Sequence, residues 1–236
     1  MTTQLLPTEP TPPKTEMGAF TTLVYGVPKI GKSTFASHAP DAIFLATEAG
    51  LNSLNVHQVA IDSWATFLQV CGEIMTGEHT FKTVVIDTVD KLYKLCSEHV
   101  LADAGVKHES DLGYGKGWAL VNGEFERVLT KLSLLPQGLI LISHAQLREV
   151  DDRTGGYTKA FPTLPESARK IVLAMSDFIL YFEMESYTTE DGKPEERRVI
   201  RTKPAKNYEA GDRTGRLPDT LPMSYDAFEA KLKLAA

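Results

Sequence analysis

Residues 21–36 read TTLVYGVPKIGKSTFA, and the predicted fold follows from this segment. It opens with a short β-branched and aromatic run, passes through a turn rich in Gly and Pro, and continues with helical composition. The turn matches GxxxxGK[ST] at every fixed position, between a predicted strand and a predicted helix as that pattern requires. The candidate nucleotide-binding residues are those of the loop, namely Gly26, Val27, Pro28, Lys29, Ile30, Gly31, Lys32, Ser33 and Thr34.

The residue types of this loop suit phosphate groups. Glycines let the backbone bend so that successive N–H groups point at an anion. Lys32 is predicted to reach the β- and γ-phosphates, and the Ser33 hydroxyl to ligate Mg²⁺. The sequence therefore predicts nucleotide binding with Mg²⁺. The alternative is a glycine turn with a solvated lysine.

Three further apolar runs continue the pattern: AIFLA at 42–46, TVVID at 83–87 and GLILIS at 138–143. Continuously apolar strands separated by helical segments are typical of a parallel sheet covered on both faces. The predicted fold class is α/β, a P-loop NTPase fold with a mainly parallel sheet. After Ser143 the chain turns polar and rich in Gly and Pro, which predicts a long loop or hairpin. Two β-like runs flanking TEDGKP at 189–194 predict a C-terminal β-hairpin.

Asp87 ends the strand TVVID. Ligand sites of parallel sheets gather at the carboxyl ends of the strands, so Asp87 is expected beside the phosphate loop. There it would hold Mg²⁺ directly or through water. The alternative for Asp87 alone is a simple helix cap.

Composition bounds the class of protein. Among the 236 residues, 42% of them hydrophobic, no apolar run approaches the ~20 residues that cross a bilayer. No signal peptide is recognisable, so we expect a cytoplasmic protein without a membrane partner. Cys71 and Cys96 stand far apart without a CxxC motif, which argues against disulfides and structural zinc. Residues 1–17 are Pro-rich and predicted to be a flexible tail, and residues 18–236 to form a single ATPase domain.

Net charge restricts where a nucleic acid can bind. The chain carries a formal net charge of −6, which argues against indiscriminate phosphate binding by the whole surface. Between Lys193 and Arg216, however, eight basic residues stand against four acidic ones. Positive charge is thus concentrated in one late segment, so the acidic average does not exclude a nucleic-acid partner.

Glu48 carries a resemblance to a known family. It stands two residues after the second strand, while Asp87 is followed by Thr88 and not by a glutamate. This arrangement resembles the RecA-like recombinase ATPases, in which the base that polarises the attacking water follows the second strand. The resemblance implies that Glu48 is the general base, working with Lys32 as the catalytic lysine. The alternative for Glu48 is an exposed loop glutamate.

The resemblance also implies a polar γ-phosphate sensor at the end of the fourth strand. His144 and Gln146 are the two candidates, and the strand register favours His144. A lone histidine at such a position is more often a packed or solvated residue, which is the alternative here.

More specifically, the chain resembles the short, single-domain RecA-like proteins of bacteriophages, the Sak-type single-strand annealing and recombination ATPases. The shared features are GxPKxGKST, the glutamate after the second strand, GYGKGW at 113–118, and a basic C-terminal hairpin running into 203–218. The resemblance implies Mg²⁺-dependent ATP hydrolysis on single-stranded DNA in phage recombination, within the bacterial host cytoplasm. It also implies a homo-oligomer, and a single-strand-binding protein is a further candidate partner.

RecA-like proteins bind single strands with two loops, which would be residues 105–117 and 148–165. Glycine gives mobility, basic residues meet phosphates and aromatic rings stack on bases. The DNA-binding candidates are Lys107, Lys116, Arg148, Arg153 and Lys159. The alternative is that both loops form a solvated active-site lid.

In RecA-like assemblies ATP lies between subunits, and a neighbour supplies cations to the γ-phosphate. Such cations stabilise charge in the transition state. The trans-acting candidates are Lys203, Lys206 and Arg213. An ordinary basic surface is the alternative.

The sequence leaves two other functions open. One is a small-molecule phosphotransferase that uses the same loop. The other is a non-catalytic nucleotide-binding switch in a replication complex.

Overall fold

The computed structural model describes residues 8–10, 12–14, 16–152 and 155–233. The strands in these ranges are β1 (Thr21–Gly26), β2 (Ala42–Ala46), β3 (His57–Ala60), β4 (Thr83–Asp87), β5 (Gly138–Asp152), β6 (Gly155–Pro162), β7 (Phe178–Thr188), β8 (Pro194–Arg201), β9 (Gly211–Asp212) and β10 (Thr220–Pro222). The α-helices are α1 (Lys32–Ala36), α2 (Trp64–Thr76), α3 (Val89–Asp103), α4 (Lys116–Ser133), α5 (Glu166–Met175) and α6 (Tyr225–Lys233). Short 3₁₀ turns lie at Met17–Ala19 and Glu109–Leu112.

One mixed sheet organises the chain. Its order is β10-β8-β7-β1-β5-β4-β2-β3, with β6 paired to β5 and β9 paired to β7. The central strands run parallel, with β1 between β5 and β7 and with β4 between β5 and β2. Strands β7 and β8 form an antiparallel hairpin. The predicted α/β class, with a mainly parallel sheet and a C-terminal β-hairpin, is therefore confirmed.

Helices cover both faces of this sheet through two separate apolar clusters. On one face, α2, α3, α4 and α5 bury residues such as Trp64 and Phe125. On the other face, α1 and α6 close around Phe182, and Phe35 of α1 meets the rings of Phe182 and Phe228 edge-on or tilted. The phosphate loop thus leads into a helix, α1, that packs against an aromatic cluster.

The segment after Ser143 is a hairpin. Strand β5 continues beyond the central sheet and pairs in antiparallel register with β6, from Ala145 opposite Pro162 to Asp152 opposite Gly155. The first half of β5 is continuously apolar because β1 and β4 flank it, whereas the second half is polar because it leaves the sheet. Of the two structures that the sequence allowed here, a long loop or a hairpin, the molecule has the hairpin.

Several elements were not predicted: strands β3, β9 and β10, helix α5 and the two short 3₁₀ turns. Strand β3 is a largely exposed edge strand of sequence HQVA, so it lacks the continuous apolar run that marks the central strands. Helix α5 buries only Ala168, Arg169 and Val172, a stripe too short to stand out in a Pro-rich segment.

The remaining sequence predictions meet the structure in part. Cys71 and Cys96 are both free, and both are buried. In the part of the chain that the structure describes, no helix is both long and apolar enough to cross a membrane. The predicted flexible tail at 1–17 falls mostly on residues outside the described ranges and stays a prediction, as does the division into tail and single domain.

Candidate nucleotide-binding site

The two motif glycines of the phosphate loop have different structural roles. A side chain on Gly26 would begin 2.6 Å from the carbonyl oxygen of Phe182, so glycine lets β1 and β7 approach closely. Gly31 has a φ of +117°, a conformation that L-residues with a side chain rarely adopt. The loop therefore needs glycine at both ends, once for packing and once for backbone geometry.

Lys32 lies inside the loop that it ends. Its ammonium donates hydrogen bonds to the carbonyl oxygens of Gly26 at 2.9 Å and Val27 at 3.0 Å. Burial lowers the pKa of Lys32, while the nearby carboxylates, Asp87 foremost, act in the opposite direction. A phosphate is a stronger acceptor than these carbonyls because hydrogen bonds between charged groups are shorter and stronger. The ammonium can therefore exchange these carbonyl acceptors for the oxygens of a phosphate bound in the loop.

Ser33 and Asp87 meet across 54 residues of sequence. The Ser33 hydroxyl donates a hydrogen bond of 2.6 Å to Oδ2 of Asp87, at the end of β4. Burial raises the pKa of Asp87, and the bond from Ser33 opposes that change. A hydroxyl and a carboxylate are ligands that suit Mg²⁺, which takes only one or two protein groups and completes its shell with phosphates and water. The pair fits the predicted metal site, whose occupancy by Mg²⁺ stays a prediction.

Glu48 is held beside this pair from two directions. Its Oε1 accepts a hydrogen bond of 2.8 Å from the Thr88 hydroxyl, and its Oε2 lies 3.7 Å from Nε2 of His144. Thr47 fixes the backbone beneath, because its hydroxyl accepts from the Thr88 N–H and donates to the Thr88 carbonyl. The peptide bond between Asp87 and Thr88 is cis. The carboxyl ends of β2 and β4, and the point where β5 leaves the central sheet, thus bring Glu48, Asp87 and His144 together.

The two sensor candidates occupy different surroundings. His144 faces Glu48, whereas the Gln146 side chain donates to the Pro162 carbonyl at 3.2 Å inside the β5–β6 hairpin. Nδ1 of His144 is buried, and among the described residues no hydrogen-bond partner faces it. Geometry therefore favours His144 over Gln146 as the group near Glu48, and the sensor role itself stays a prediction.

Asp90 belongs to the same cluster and was missed by the sequence analysis. It lies in the first turn of α3, where its carboxylate accepts hydrogen bonds from the Ser143 hydroxyl at 2.6 Å and the His144 N–H at 2.7 Å. Burial raises the pKa of Asp90. The available signal was the spacing Asp87-x-x-Asp90, which places the second carboxylate one helical turn beyond the strand end.

The first predicted DNA segment is partly ordered against the helices. Gly117 packs directly on the Glu109 backbone, and the Glu109 carboxylate accepts a hydrogen bond of 2.9 Å from Ser97 of α3. Lys107 is exposed, Lys116 begins α4 with an exposed side chain, and the Tyr114 ring is fully exposed.

The second predicted DNA segment is the β5–β6 hairpin with the chain up to 165. Arg148 and Lys159 stand opposite each other in its register. Arg148 is exposed and donates to the Gln146 side chain, whereas Lys159 pairs with Glu209 at 2.9 Å. Arg153 lies outside the described residues.

The three trans-acting candidates are engaged within their own chain. Lys203 pairs with Asp212 at 3.1 Å, and Arg213 pairs with Asp177 at 3.0 Å. The Lys206 ammonium lies 4.4 Å from the centre of the Tyr157 ring. A role toward a neighbour's nucleotide would require these groups to exchange partners, and it stays a prediction.

A glycine-lysine-serine loop after β1, with carboxylates at the ends of neighbouring parallel strands, defines a P-loop ATPase domain. A family model described as an AAA domain matches residues 19–214, and the chain belongs to that family. No curated protein matches the chain. Among solved structures, the flagellar accessory protein FlaH of Methanocaldococcus jannaschii is similar at 10% identity, with a TM-score of 0.45 over 86% of this chain and 84% of that one.

Proposed function

We propose that the protein is a Mg²⁺-dependent ATPase that acts on single-stranded DNA in phage recombination, like the Sak-type proteins that it resembles. The observation that carries the proposal is the path of β5. This strand lies between β1 and β4, passes Glu48 at His144, and continues directly into the β5–β6 hairpin. One continuous strand thus joins the nucleotide site to a surface of cationic and aromatic side chains.

The chemistry assigned to the site follows from its side chains. Bound Mg²⁺ would neutralise charge on the phosphates. Ser33 and Asp87 would hold that ion, while the loop amides and Lys32 bind the phosphates. Glu48 would orient or deprotonate a water molecule, and its hydrogen bond from Thr88 fixes the carboxylate for this task.

The hairpin surface suits a single strand. Strand β6 presents Tyr157 and Phe161 on one face, since side chains two apart point the same way. Lys206 lies 4.4 Å over the first ring, and the Arg169 guanidinium 4.5 Å over the second. Rings with cationic neighbours can stack on bases of any sequence at about 1–3 kcal/mol each, while Arg148 meets the phosphate backbone.

A second connection supports communication between nucleotide and hairpin. Tyr25 directly precedes the phosphate loop, and its hydroxyl oxygen accepts a hydrogen bond of 2.9 Å from the Glu209 N–H. The Glu209 carboxylate in turn pairs with Lys159 of β6 at 2.9 Å. The end of β1 is therefore linked to the hairpin independently of β5.

The proposal extends to assembly. ATP would lie between subunits of a homo-oligomer, with Lys203, Lys206 and Arg213 as candidates for the neighbour's cations. A single-strand-binding protein is a further proposed partner.

Measuring ATP turnover with and without single-stranded DNA tests the function. Stimulation by DNA, abolished by a chelator of Mg²⁺, supports the proposal. ATP turnover that is unchanged by DNA and needs a small-molecule acceptor indicates a phosphotransferase. Nucleotide binding without turnover indicates a non-catalytic switch.

A matched pair of variants sharpens the DNA part of this test. Arg148→Gln should weaken binding to single-stranded DNA and flatten its dependence on salt, because one phosphate contact and its released counterion are lost. Lys82→Gln is the control. Lys82 is an exposed lysine paired with Asp41, and it directly precedes β4, at the amino-terminal end of the parallel strands and away from the hairpin. Equal effects of the two substitutions would contradict a specific hairpin surface.

A further inference from the structure

The arginines of β8 divide between the two faces of the β7–β8 hairpin. On one face, Arg197 pairs with Glu185 and Arg201 with Glu183, each at 2.6 Å. Arg198 points to the opposite face, because side chains alternate along a strand. Within the part of the chain that the structure describes, its exposed guanidinium has neither a hydrogen bond nor an ion pair. Among the described residues, Arg198 thus has no carboxylate partner, whereas Arg197 and Arg201 on the same strand each have one.

The face that carries Arg198 is the one that covers the phosphate loop. Ile200, two residues further along β8, belongs to the apolar cluster around α1, opposite Phe182 in the hairpin register. Nη1 of Arg198 lies 3.8 Å from the point where a side chain on Gly31 would begin. The guanidinium therefore lies against the loop itself and not at the hairpin tip.

A cavity of about 260 Å³ opens beside the loop at this position. It lies between the start of α1 and the corner where β10 leads into α6. The cavity is lined by residues of the phosphate loop and α1, by Arg198, and by residues between β10 and α6. They include Gly31, Thr34, His38, Arg198, Met223 and Asp226. A group bound in the loop and extending past Thr34 would enter this cavity.

Strand order decides which end of a nucleotide Arg198 faces. Strands β7 and β8 lie on one side of β1, whereas β5, β4 and β2 lie on the other. Glu48 follows β2, Asp87 ends β4 and His144 lies within β5, so a γ-phosphate that is to be hydrolysed must lie on the side of these strands. Arg198 approaches the loop from the opposite side, toward the phosphate nearest the nucleoside.

We propose that Arg198 binds the nucleotide from within its own chain, at the α-phosphate end of the polyphosphate. The inference rests on the proposed nucleotide-binding function and adds a residue that lies 165 positions beyond Ser33 and outside the loop motif. A planar guanidinium matches the paired oxygens of a phosphate. No ion pair among the described residues has to break for Arg198 to do so.

The test compares the Kd of ADP and of ATP, with Mg²⁺, by titration calorimetry. Arg198→Gln should raise the Kd of ADP and that of ATP equally, by about tenfold or more. This is the loss expected for one charged hydrogen bond. Arg198→Lys should recover part of that loss. Arg197→Gln removes an arginine from the next position on the other face of the same strand, and it should change either Kd by less than about twofold.

The outcomes separate this inference from the function on which it rests. Binding that is lost in Lys32→Ala but unchanged in Arg198→Gln overturns the role of Arg198 alone. A loss confined to ATP also overturns it, because the arginine would then act at the γ-phosphate. Wild-type protein that binds neither nucleotide contradicts the proposed function and the role of Arg198 together. Thermal melting of each variant shows whether the fold is retained.

Discussion

The Asp90 carboxylate accepts a hydrogen bond of 2.7 Å from the backbone N–H of His144, across 54 residues of sequence. This bond joins the first turn of α3 to the point where β5 leaves the parallel sheet for its hairpin. The Ser143 hydroxyl adds a second bond to the same carboxylate at 2.6 Å. The position of His144 beside Glu48 therefore depends on a carboxylate that is not itself aimed at the nucleotide loop.

Replacing Asp90 should destabilise the protein. In Asp90→Ala the half-buried His144 N–H loses its acceptor, and a donor left unsatisfied away from water costs about 1–3 kcal/mol of unfolding free energy. Ser143→Ala removes only the hydroxyl bond and should cost about 1 kcal/mol. Urea denaturation monitored by circular dichroism measures both values. A cost for Asp90→Ala no larger than that for Ser143→Ala would contradict the bridging role.

Gly31→Ala should impair nucleotide binding through the backbone. At a φ of +117° a side chain is strained, and its Cβ would also lie 2.6 Å from Cε of Met223. The end of the methionine can move but the loop backbone cannot, so Met223→Ala should not rescue the variant. We expect about a tenfold loss of nucleotide affinity, measured by calorimetry.

The control for this substitution is Gly123→Ala. Gly123 is exposed in α4, and a Cβ there would meet nothing within 4 Å. Alanine in a helix interior is better than glycine by about 0.5–1 kcal/mol, so this variant should be slightly more stable and bind nucleotide normally. Full rescue of Gly31→Ala by Met223→Ala would show that the contact, and not the backbone, is decisive.

The buried carboxylate of Asp212 should make stability depend on pH. Burial would raise the pKa of Asp212, but hydrogen bonds from Thr214, Leu217 and Lys203 outweigh it and hold that pKa below its usual value. A carboxyl group with a lowered folded pKa stabilises the protein above its unfolded pKa of about 3.9, and this contribution is lost as pH falls through the folded pKa. The stability difference between wild type and Asp212→Asn should therefore be constant near neutral pH and shrink below about pH 4. Urea unfolding at several pH values checks this, and a difference independent of pH would contradict it.

Arg213 should act on a neighbouring subunit if the assembly is RecA-like. Arg213→Ala is expected to abolish hydrolysis and to leave nucleotide binding nearly intact, because the cation would serve the transition state. Within its own chain Arg213 also bonds Asp177 and the Ala174 carbonyl, so a structural effect must be separated. Mixing Arg213→Ala with Glu48→Gln should restore part of the turnover, since some interfaces then hold both intact groups. Unchanged turnover of Arg213→Ala alone, or no recovery on mixing, would contradict the role in trans.

Local patterns in the sequence were enough to predict the central site residues. The phosphate loop is contiguous, and Asp87 and Glu48 stand at or just after the ends of apolar strands, so parallel-sheet geometry brings them together. The positions of Asp90 and Arg198 near the site were not predicted, because they depend on which strands are neighbours in the sheet. Nothing near Arg198 in the sequence indicates that β8 packs over the loop of β1.

Charge counted along the sequence was a weaker guide than charge in the fold. The surplus of basic residues between Lys193 and Arg216 predicted a concentrated positive surface. In the structure, Arg197 and Arg201 are paired with glutamates of β7, and Arg213 with Asp177, all outside the counted segment. A linear window cannot include partners supplied across a hairpin, whereas Arg198 keeps the uncompensated charge that the count implied.

The proposed ATPase mechanism is best tested by the rate of phosphate release from ATP by wild type and Glu48→Gln, with saturating Mg²⁺ and single-stranded DNA. Glu48 accepts a hydrogen bond from Thr88 and lies beside His144, so the substitution should remove the proposed general base and leave the loop intact. We expect Glu48→Gln to bind ATP as wild type does and to turn it over at least about a hundredfold more slowly. Equal rates in the two proteins, or no turnover by wild type with DNA present, would rule out the proposed ATPase mechanism.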